Sequence, residues 1–373
     1  MRLLIAGGGT GGHLYPGLAV AAELRRRDPG AAVGFIGTRR GLERRIVPAH
    51  GYPIRYIAIR GYLGKSLPGK LSFPLLFAWS VCQSLFHLIA DRPDAVLGTG
   101  GYASAPPVLA AWLLRVPVGL LALDALPSKA VLLLARCARE VYAGFPECAA
   151  HIAGRTAVVH TGNPLRPGIG RTARAEGSTA FGLDPGRTTV LMYGGSQGAH
   201  ALNLLVPAAI AARAGDPRWR ELQFIVQTGP ADAAAVAERL RGVPVRTVVL
   251  PYIDNMPAAF AASDLVISRS GSGVAETLAC GLPSILVPFP HAASNHQEHN
   301  ARSLERAGAA VVALERDLDP GKLASLVESI LFDPERMAGM AGAARRMARP
   351  GAAAEIAARL SAIAMEGTNV RSH

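Results

Sequence analysis

The sequence predicts an α/β protein: two Rossmann-like parallel-sheet domains facing across a cleft. Three observations lead there. Short apolar runs alternate with Ala- and Leu-rich helical stretches along the whole chain, the pattern of parallel strands covered by helices on both faces. A glycine-rich loop joining a strand to a helix occurs twice, as Gly7-Gly8-Gly9-Thr10-Gly11-Gly12-His13 after residues 2–6 and as Gly194-Gly195-Ser196-Gln197-Gly198-Ala199 after residues 189–193. The length of 373 residues, with 50% hydrophobic residues, is enough for two domains with a core each.

In order, strand 2–6 leads through the first glycine loop into a helix expected from about Pro16 to Arg27. Strands follow at 33–37, 54–59 and 95–97, the last running into Gly98-Thr99-Gly100-Gly101-Tyr102. Strand 118–121, a helix over 130–137 and strand 157–160 complete the first half. Residues 161–166 join the halves, and the Gly- and Arg-rich stretch to Gly177 reads as a hinge. The second half has strands at 189–193, 223–227, 246–250, 264–268, 284–287 and 310–313 with helices between them, and an Ala-rich helix near 352–364 ends the chain. Each glycine loop presents backbone N–H groups and the positive end of a helix, which suits phosphate oxygens.

The four cysteines (Cys82, Cys137, Cys148, Cys280) have no paired spacing, so neither a zinc site nor a disulfide framework is indicated, which fits a reducing compartment. Without a basic leader or an apolar run of 18 or more residues free of charge and proline, the chain reads as cytosolic with no membrane span. The net charge of +12 is uneven: residues 1–160 hold 18 Lys and Arg against 8 Asp and Glu, leaving +2 for the rest. A basic first half points to an anionic lipid surface, a pyrophosphate or a nucleic acid; the last lacks interleaved aromatics or a reading helix. Part of the Arg excess is compositional, since only Lys65, Lys70, Lys129 and Lys322 are lysines.

Seven motifs in order then carry a family resemblance: 7–13, Gly100-Gly101-Tyr102, Thr161-Gly162-Asn163-Pro164-Leu165-Arg166, 194–199, Pro251-Tyr252-Ile253-Asp254-Asn255-Met256, Ser268-Arg269-Ser270-Gly271 with Glu276, and Asn295-His296-Gln297-Glu298-His299-Asn300-Ala301. Over nearly the whole chain it resembles the MurG-type bacterial N-acetylglucosaminyltransferases of glycosyltransferase family 28. The resemblance implies the GT-B fold, with an acceptor and membrane-facing domain over 1–165, a donor domain over 166–345, and a C-terminal helix within 346–373 crossing back to the first. It implies transfer of N-acetylglucosamine from UDP-N-acetylglucosamine to lipid I, undecaprenyl-pyrophosphoryl-MurNAc-pentapeptide, to give lipid II in peptidoglycan biosynthesis. Inversion, no metal and no cofactor are implied too, with peripheral attachment to the cytoplasmic face of the membrane and cell-wall synthesis enzymes as further partners.

Residue by residue, Ser196 is placed to bond a phosphate, Glu276 to accept from the two ribose hydroxyls, and Ile253 to meet the uracil edge through its backbone. Arg166 and Arg269 can neutralise charge on donor or acceptor. Gln297 and Asn300 lie in the segment that contacts the sugar hydroxyls. His291, His296 and His299 lack carboxylates at metal-ligand spacing and read as helix-start and surface residues. His13 is the candidate general base, since its pKa range suits proton transfer near neutrality; orienting a pyrophosphate is the equal alternative. Gly9, Thr10, Gly11 and Gly12 face the acceptor pyrophosphate or the transferring sugar, and Tyr102 lines the same wall.

The chain departs from the family at one place, where His-Glu-Gln-Asn is replaced by Leu121-Ala122-Leu123-Asp124. Asp124 still accepts hydrogen bonds but cannot donate while ionised. That keeps open two other readings: a different UDP-sugar glycosyltransferase of the same fold, and a silent UDP-sugar-binding scaffold. Between Lys65 and Phe86, basic Lys65 and Lys70 accompany Leu71, Phe73, Leu75, Leu76, Phe77, Trp79, Leu85 and Phe86, a mixture expected of an interfacial helix or of a core helix.

Overall fold

Every strand pairs in parallel with its neighbours, so each connection must cross back over a sheet face, and helices occupy those faces. The computed structural model describes the chain except at Thr10, 62–71, Ala153, Arg155, Ser196 and 372–373, and except for the side chains of 367–371. The chain forms two units, one of Met1–Leu165 with Arg349–His373 and one of Arg166–Ala348.

In the first unit seven strands, β1 (Arg2–Ala6), β2 (Ala32–Gly37), β3 (Ile54–Tyr56), β4 (Ala95–Gly98), β5 (Val118–Ala122), β6 (Glu140–Ala143) and β7 (Ala157–His160), lie in the order β3-β2-β1-β4-β5-β6-β7. In the second, β8 (Thr189–Tyr193), β9 (Gln223–Gln227), β10 (Arg246–Leu250), β11 (Leu265–Ser268), β12 (Ser284–Leu286) and β13 (Ala310–Val312) lie in the order β10-β9-β8-β11-β12-β13. Each sheet grows outward one way from its first strand and then restarts on that strand's other side. The switch points are therefore β1/β4 and β8/β11, and loops leaving the carboxyl ends of those strands diverge to open a ligand crevice.

The central strands are almost wholly apolar because both faces are covered. Leu3 and Ile5 of β1 pack with Leu14, Leu18, Phe35 and Leu97, while Leu4 and Ala6 pack on the opposite face with Ile36, Val96 and Leu120. The helix Ala352–Arg371 belongs to the first unit. Its Ile356, Ala357, Leu360, Ile363 and Ala364, spaced for one helical face, join the first of these clusters beside the helix Gly11–Arg27. Gly119 in β5 makes room for it: a Cβ there would stand 2.8 Å from Leu360 Cδ2 and 2.7 Å from Tyr142 Cε2.

Several boundaries differ from the sequence reading. Helix Gly11–Arg27 begins five residues before Pro16, which sits inside it; proline's preference for a first turn suggested the later start. Strand β3 ends at Tyr56, and β6, a four-residue Glu-Val-Tyr-Ala strand, was not expected because so short a run carries no periodicity. The helix Phe73–Asp91 is, by length and apolar composition alone, long enough to cross a membrane. One of its faces belongs to the folded unit all the same: Ser80, Ser84 and Leu88 are buried, Leu88 among Val108, Ala110 and Ala111.

Leu360 is completely buried. Leu360→Ala is expected to cost about 2–5 kcal/mol of stability, read as a lower urea midpoint for the transition of the first unit.

Candidate active site

At the first switch point, the residues after β1 and β4 interlock. His13, in the first turn of its helix, sets Nδ1 3.0 Å from the carbonyl oxygen of Thr99. A carbonyl only accepts, so Nδ1 carries the hydrogen and the basic lone pair of the ring is on Nε2. The imidazole lies against Gly100 and Gly101, both with positive φ (89° and 72°); a Cβ on Gly100 would stand 3.0 Å from Nδ1, so only glycine fits both the backbone and the ring. The Tyr102 ring lies over Gly9, 3.5 Å from where a Cβ would project, and is exposed at the rim. His13, Gly9 and Tyr102, named separately from sequence, thus meet at one sheet edge, with Gly11 and Gly12 in the same helix start. Thr10 lies outside the described residues.

Sequence reasoning missed Glu43. It opens the helix Glu43–Ala49, its carboxylate has no solvent exposure, and it reaches under the first glycine loop. Oε2 accepts the Gly9 N–H at 2.8 Å, while Oε1 accepts the Thr38 N–H at 2.9 Å and the Thr38 hydroxyl at 2.7 Å. Only three-dimensional proximity marks it, since its partners stand 34 residues before it and five before it in the chain.

At the second switch point, β8 leads into the second glycine loop and the helix His200–Arg213. Gly198 is packed tightly, a Cβ there falling against the Thr228 carbonyl, whereas the space beside Gly195, with φ of 90°, is open. Ser196 lies outside the described residues. After β11 come Arg269, Ser270 and the helix Val274–Ala279 bearing Glu276. Glu276 is 8% exposed at its side chain, and Arg166 grips it through two parallel bonds, Nε to Oε1 at 2.7 Å and Nη2 to Oε2 at 2.5 Å. Tyr193, at the end of β8, is buried beside that helix with its hydroxyl 3.5 Å from Thr277 Oγ1, and burial pushes its phenol up to about 12.

The other residues named from sequence stand further back. Arg269 is engaged with Glu315 at 2.6 Å and with the carbonyls of Val287 and Pro288 at 3.0 and 3.2 Å. Asn300 is fully buried and its amide donates to the Ser270 carbonyl at 2.9 Å; the Ser270 hydroxyl donates to the Gln297 carbonyl, and Gln297 Oε1 accepts the Phe289 N–H. Together they brace the loop after β11 against the helix His296–Arg306. Ile253 is buried in the loop that follows β10. His296 holds the Ala293 carbonyl through Nδ1, and no three His, Cys, Asp or Glu side chains among the described residues converge as a metal-ligand set.

Asp124 stands two residues beyond β5, half-buried, at the carboxyl edge of the first sheet. It adds to burial in pushing the Cys148 thiol up to about 12. Leu121 and Leu123 join the core cluster that contains Leu360, and Ala122 joins the cluster on the other face, so the apolar replacements at these positions are absorbed by the core.

Family models match both halves of the chain. Residues 3–143 match the glycosyltransferase family 28 N-terminal domain, and residues 189–356 match its C-terminal domain. A protein of Anaeromyxobacter sp. (strain K) named UDP-N-acetylglucosamine--N-acetylmuramyl-(pentapeptide) pyrophosphoryl-undecaprenol N-acetylglucosamine transferase is 45% identical over 358 residues, 96% of this chain and 91% of that protein. One of Moorella thermoacetica with the same name is 41% identical over 94% of this chain and 96% of its own length. Among solved structures, MurG of Acinetobacter baumannii superposes with a TM-score of 0.77 at 29% identity, over 96% of this chain and 99% of that one. The GT-B architecture, the two family models and these full-length relatives agree: the chain is a glycosyltransferase and belongs to glycosyltransferase family 28.

Proposed function

We propose that this chain transfers N-acetylglucosamine from UDP-N-acetylglucosamine to the MurNAc-pentapeptide carried on undecaprenyl pyrophosphate, producing lipid II. The observation that carries the chemistry is the His13–Thr99 contact, which commits the imidazole to the tautomer with a basic Nε2 at the sheet edge. In the step proposed, the acceptor sugar hydroxyl gives its proton to His13 Nε2 as its oxygen bonds the anomeric carbon. The bond from that carbon to the UDP oxygen breaks, and UDP leaves with the bonding pair. One displacement inverts the anomeric centre.

The second unit suits the donor. A diphosphate at the open side of Gly195 meets the N-terminal N–H groups of the 14-residue helix His200–Arg213, which favour developing negative charge. Glu276 Oε1 accepts from Arg166 Nε and, at 3.3 Å, from the Arg166 N–H, and Oε2 accepts from Nη2; a carboxylate has about four acceptor directions in all, so Oε2 keeps capacity for a ribose hydroxyl. Arg166 holds the carboxylate in orientation, while Arg269, Gln297 and Asn300 support the loop.

Attachment to the cytoplasmic face of the membrane is part of the same proposal. Leu75, Trp79, Cys82, Phe86 and Ile89 form one exposed stripe along helix Phe73–Asp91, at spacings of three and four residues. Trp112 and Leu113, on the helix that packs beside it, are exposed as well. An apolar face on a basic unit fits an anionic lipid surface, where its burial replaces contact with water. Of the segment named from sequence, Lys65, Lys70 and Leu71 lie outside the described residues, and Phe73, Leu76, Phe77 and Leu85 are half-buried.

Incubated with labelled UDP-N-acetylglucosamine and a lipid I analogue in EDTA, the purified protein is expected to give a product heavier by one N-acetylhexosamine. No product with metal or without it would overturn the proposal, and a product made only after Mg²⁺ or Mn²⁺ is restored would overturn its metal-independence. Trp79→Glu combined with Phe86→Glu is expected to lower co-sedimentation with phosphatidylglycerol vesicles several-fold; unchanged binding would remove this face from the membrane.

A further inference from the structure

We propose that Glu43 is a positioning residue for the transfer step, acting through the first glycine loop on His13. This inference rests on the reading of His13 as the proton acceptor. Four observations support it. The carboxylate is fully buried, and among the described residues it is met by hydrogen bonds from Gly9 and Thr38 and by no ion pair. Those bonds tie two separate segments together, the loop after β1 through Gly9 and the end of β2 through Thr38. The cradle is built for it: a Cβ at Gly8 would stand 2.4 Å from the carboxylate carbon, one at Gly37 would stand 2.8 Å from Cγ, and one at Gly41 would overlap Oε2. Finally, Gly9 is four residues before His13, and both sides of it are anchored, Gly7 to β2 by its N–H to the Ile36 carbonyl and His13 to Thr99.

The contact also changes what the loop is for. A backbone N–H that would suit a phosphate oxygen is consumed by an anion, and an anion behind the loop repels a second one in front of it. The Gly9 N–H is thus withdrawn from a pyrophosphate, and its contact helps hold the start of helix Gly11–Arg27, with His13, in one place. Misplacing a reacting group by about 1 Å can cost roughly 100-fold in rate.

Glu43→Gln separates the two ends of this contact. The amide oxygen can still accept from Thr38, but the amide NH2 then faces the Gly9 N–H, donor against donor, and the loop end is released. The expected result is a fall in kcat of about 10- to 100-fold, with the calorimetric Kd for UDP and the KM for UDP-N-acetylglucosamine unchanged within about twofold. In a His13→Ala background the same substitution is expected to lower kcat less than twofold further, because its route to the chemistry is gone. Should Glu43→Gln fail to fold, Glu43→Asp, which keeps the charge and shortens the reach, takes the same test. An unchanged kcat in Glu43→Gln, or an equal loss with and without His13, overturns the proposal while the reading of His13 stands. A fully active His13→Ala overturns both.

Discussion

Loops at the carboxyl edge of a parallel sheet carry backbone groups that no strand pairs, and where water is excluded some side chain must satisfy them. The two units show two ways of meeting this constraint. In the first, the anionic Glu43 accepts the N–H groups of Gly9 and Thr38. In the second, neutral amides donate to carbonyls: Gln227 to Gly195 at 2.7 Å, Asn203 to Thr228 at 2.7 Å and Asn300 to Ser270 at 2.9 Å. Among the described residues the side chain that holds the second loop, Gln227, does not compete for its N–H groups, which suits it to a diphosphate. The carboxylate in the first unit makes the mirror-image choice at the Gly9 N–H.

The same division explains how Leu121-Ala122-Leu123-Asp124 fits the fold. The three apolar positions are in or next to β5 and turn into cores on alternate faces, so their side chains contribute packing. Leu123 and Asp124 follow the strand, Leu123 buried and Asp124 half-buried, one strand beyond the switch point at β1/β4. The backbone there is held by Asn163, whose amide donates to the Leu123 carbonyl at 2.9 Å.

Much of the fold was legible because its signals are local. An apolar run, a glycine loop and an Ala-rich helix recur in order, and strands such as β1 and β8–β10 fall where the sequence places them. The missed β6 was too short to show a period. The site was legible in part: Gly9, His13 and Tyr102 do meet, as do Arg166 and Glu276, because motif residues cluster at strand ends. What the sequence could not show is how polar groups are shared. Arg166 and Glu276 are 110 residues apart yet form one bidentate pair, and Asn300 turns from the surface to brace a loop. Glu43 escaped notice for the same reason, since its value depends on three glycines from two segments arriving around one carboxylate.

The assignment of the donor to the second switch point is tested most directly by hydrogen exchange of the whole protein with and without UDP. Slower exchange on adding UDP is expected in peptides covering 194–199 and 269–276, with peptides covering 7–13 unaffected. Protection confined to 7–13 and 98–102, with none in the second unit, would contradict the division of labour between the two sheet edges.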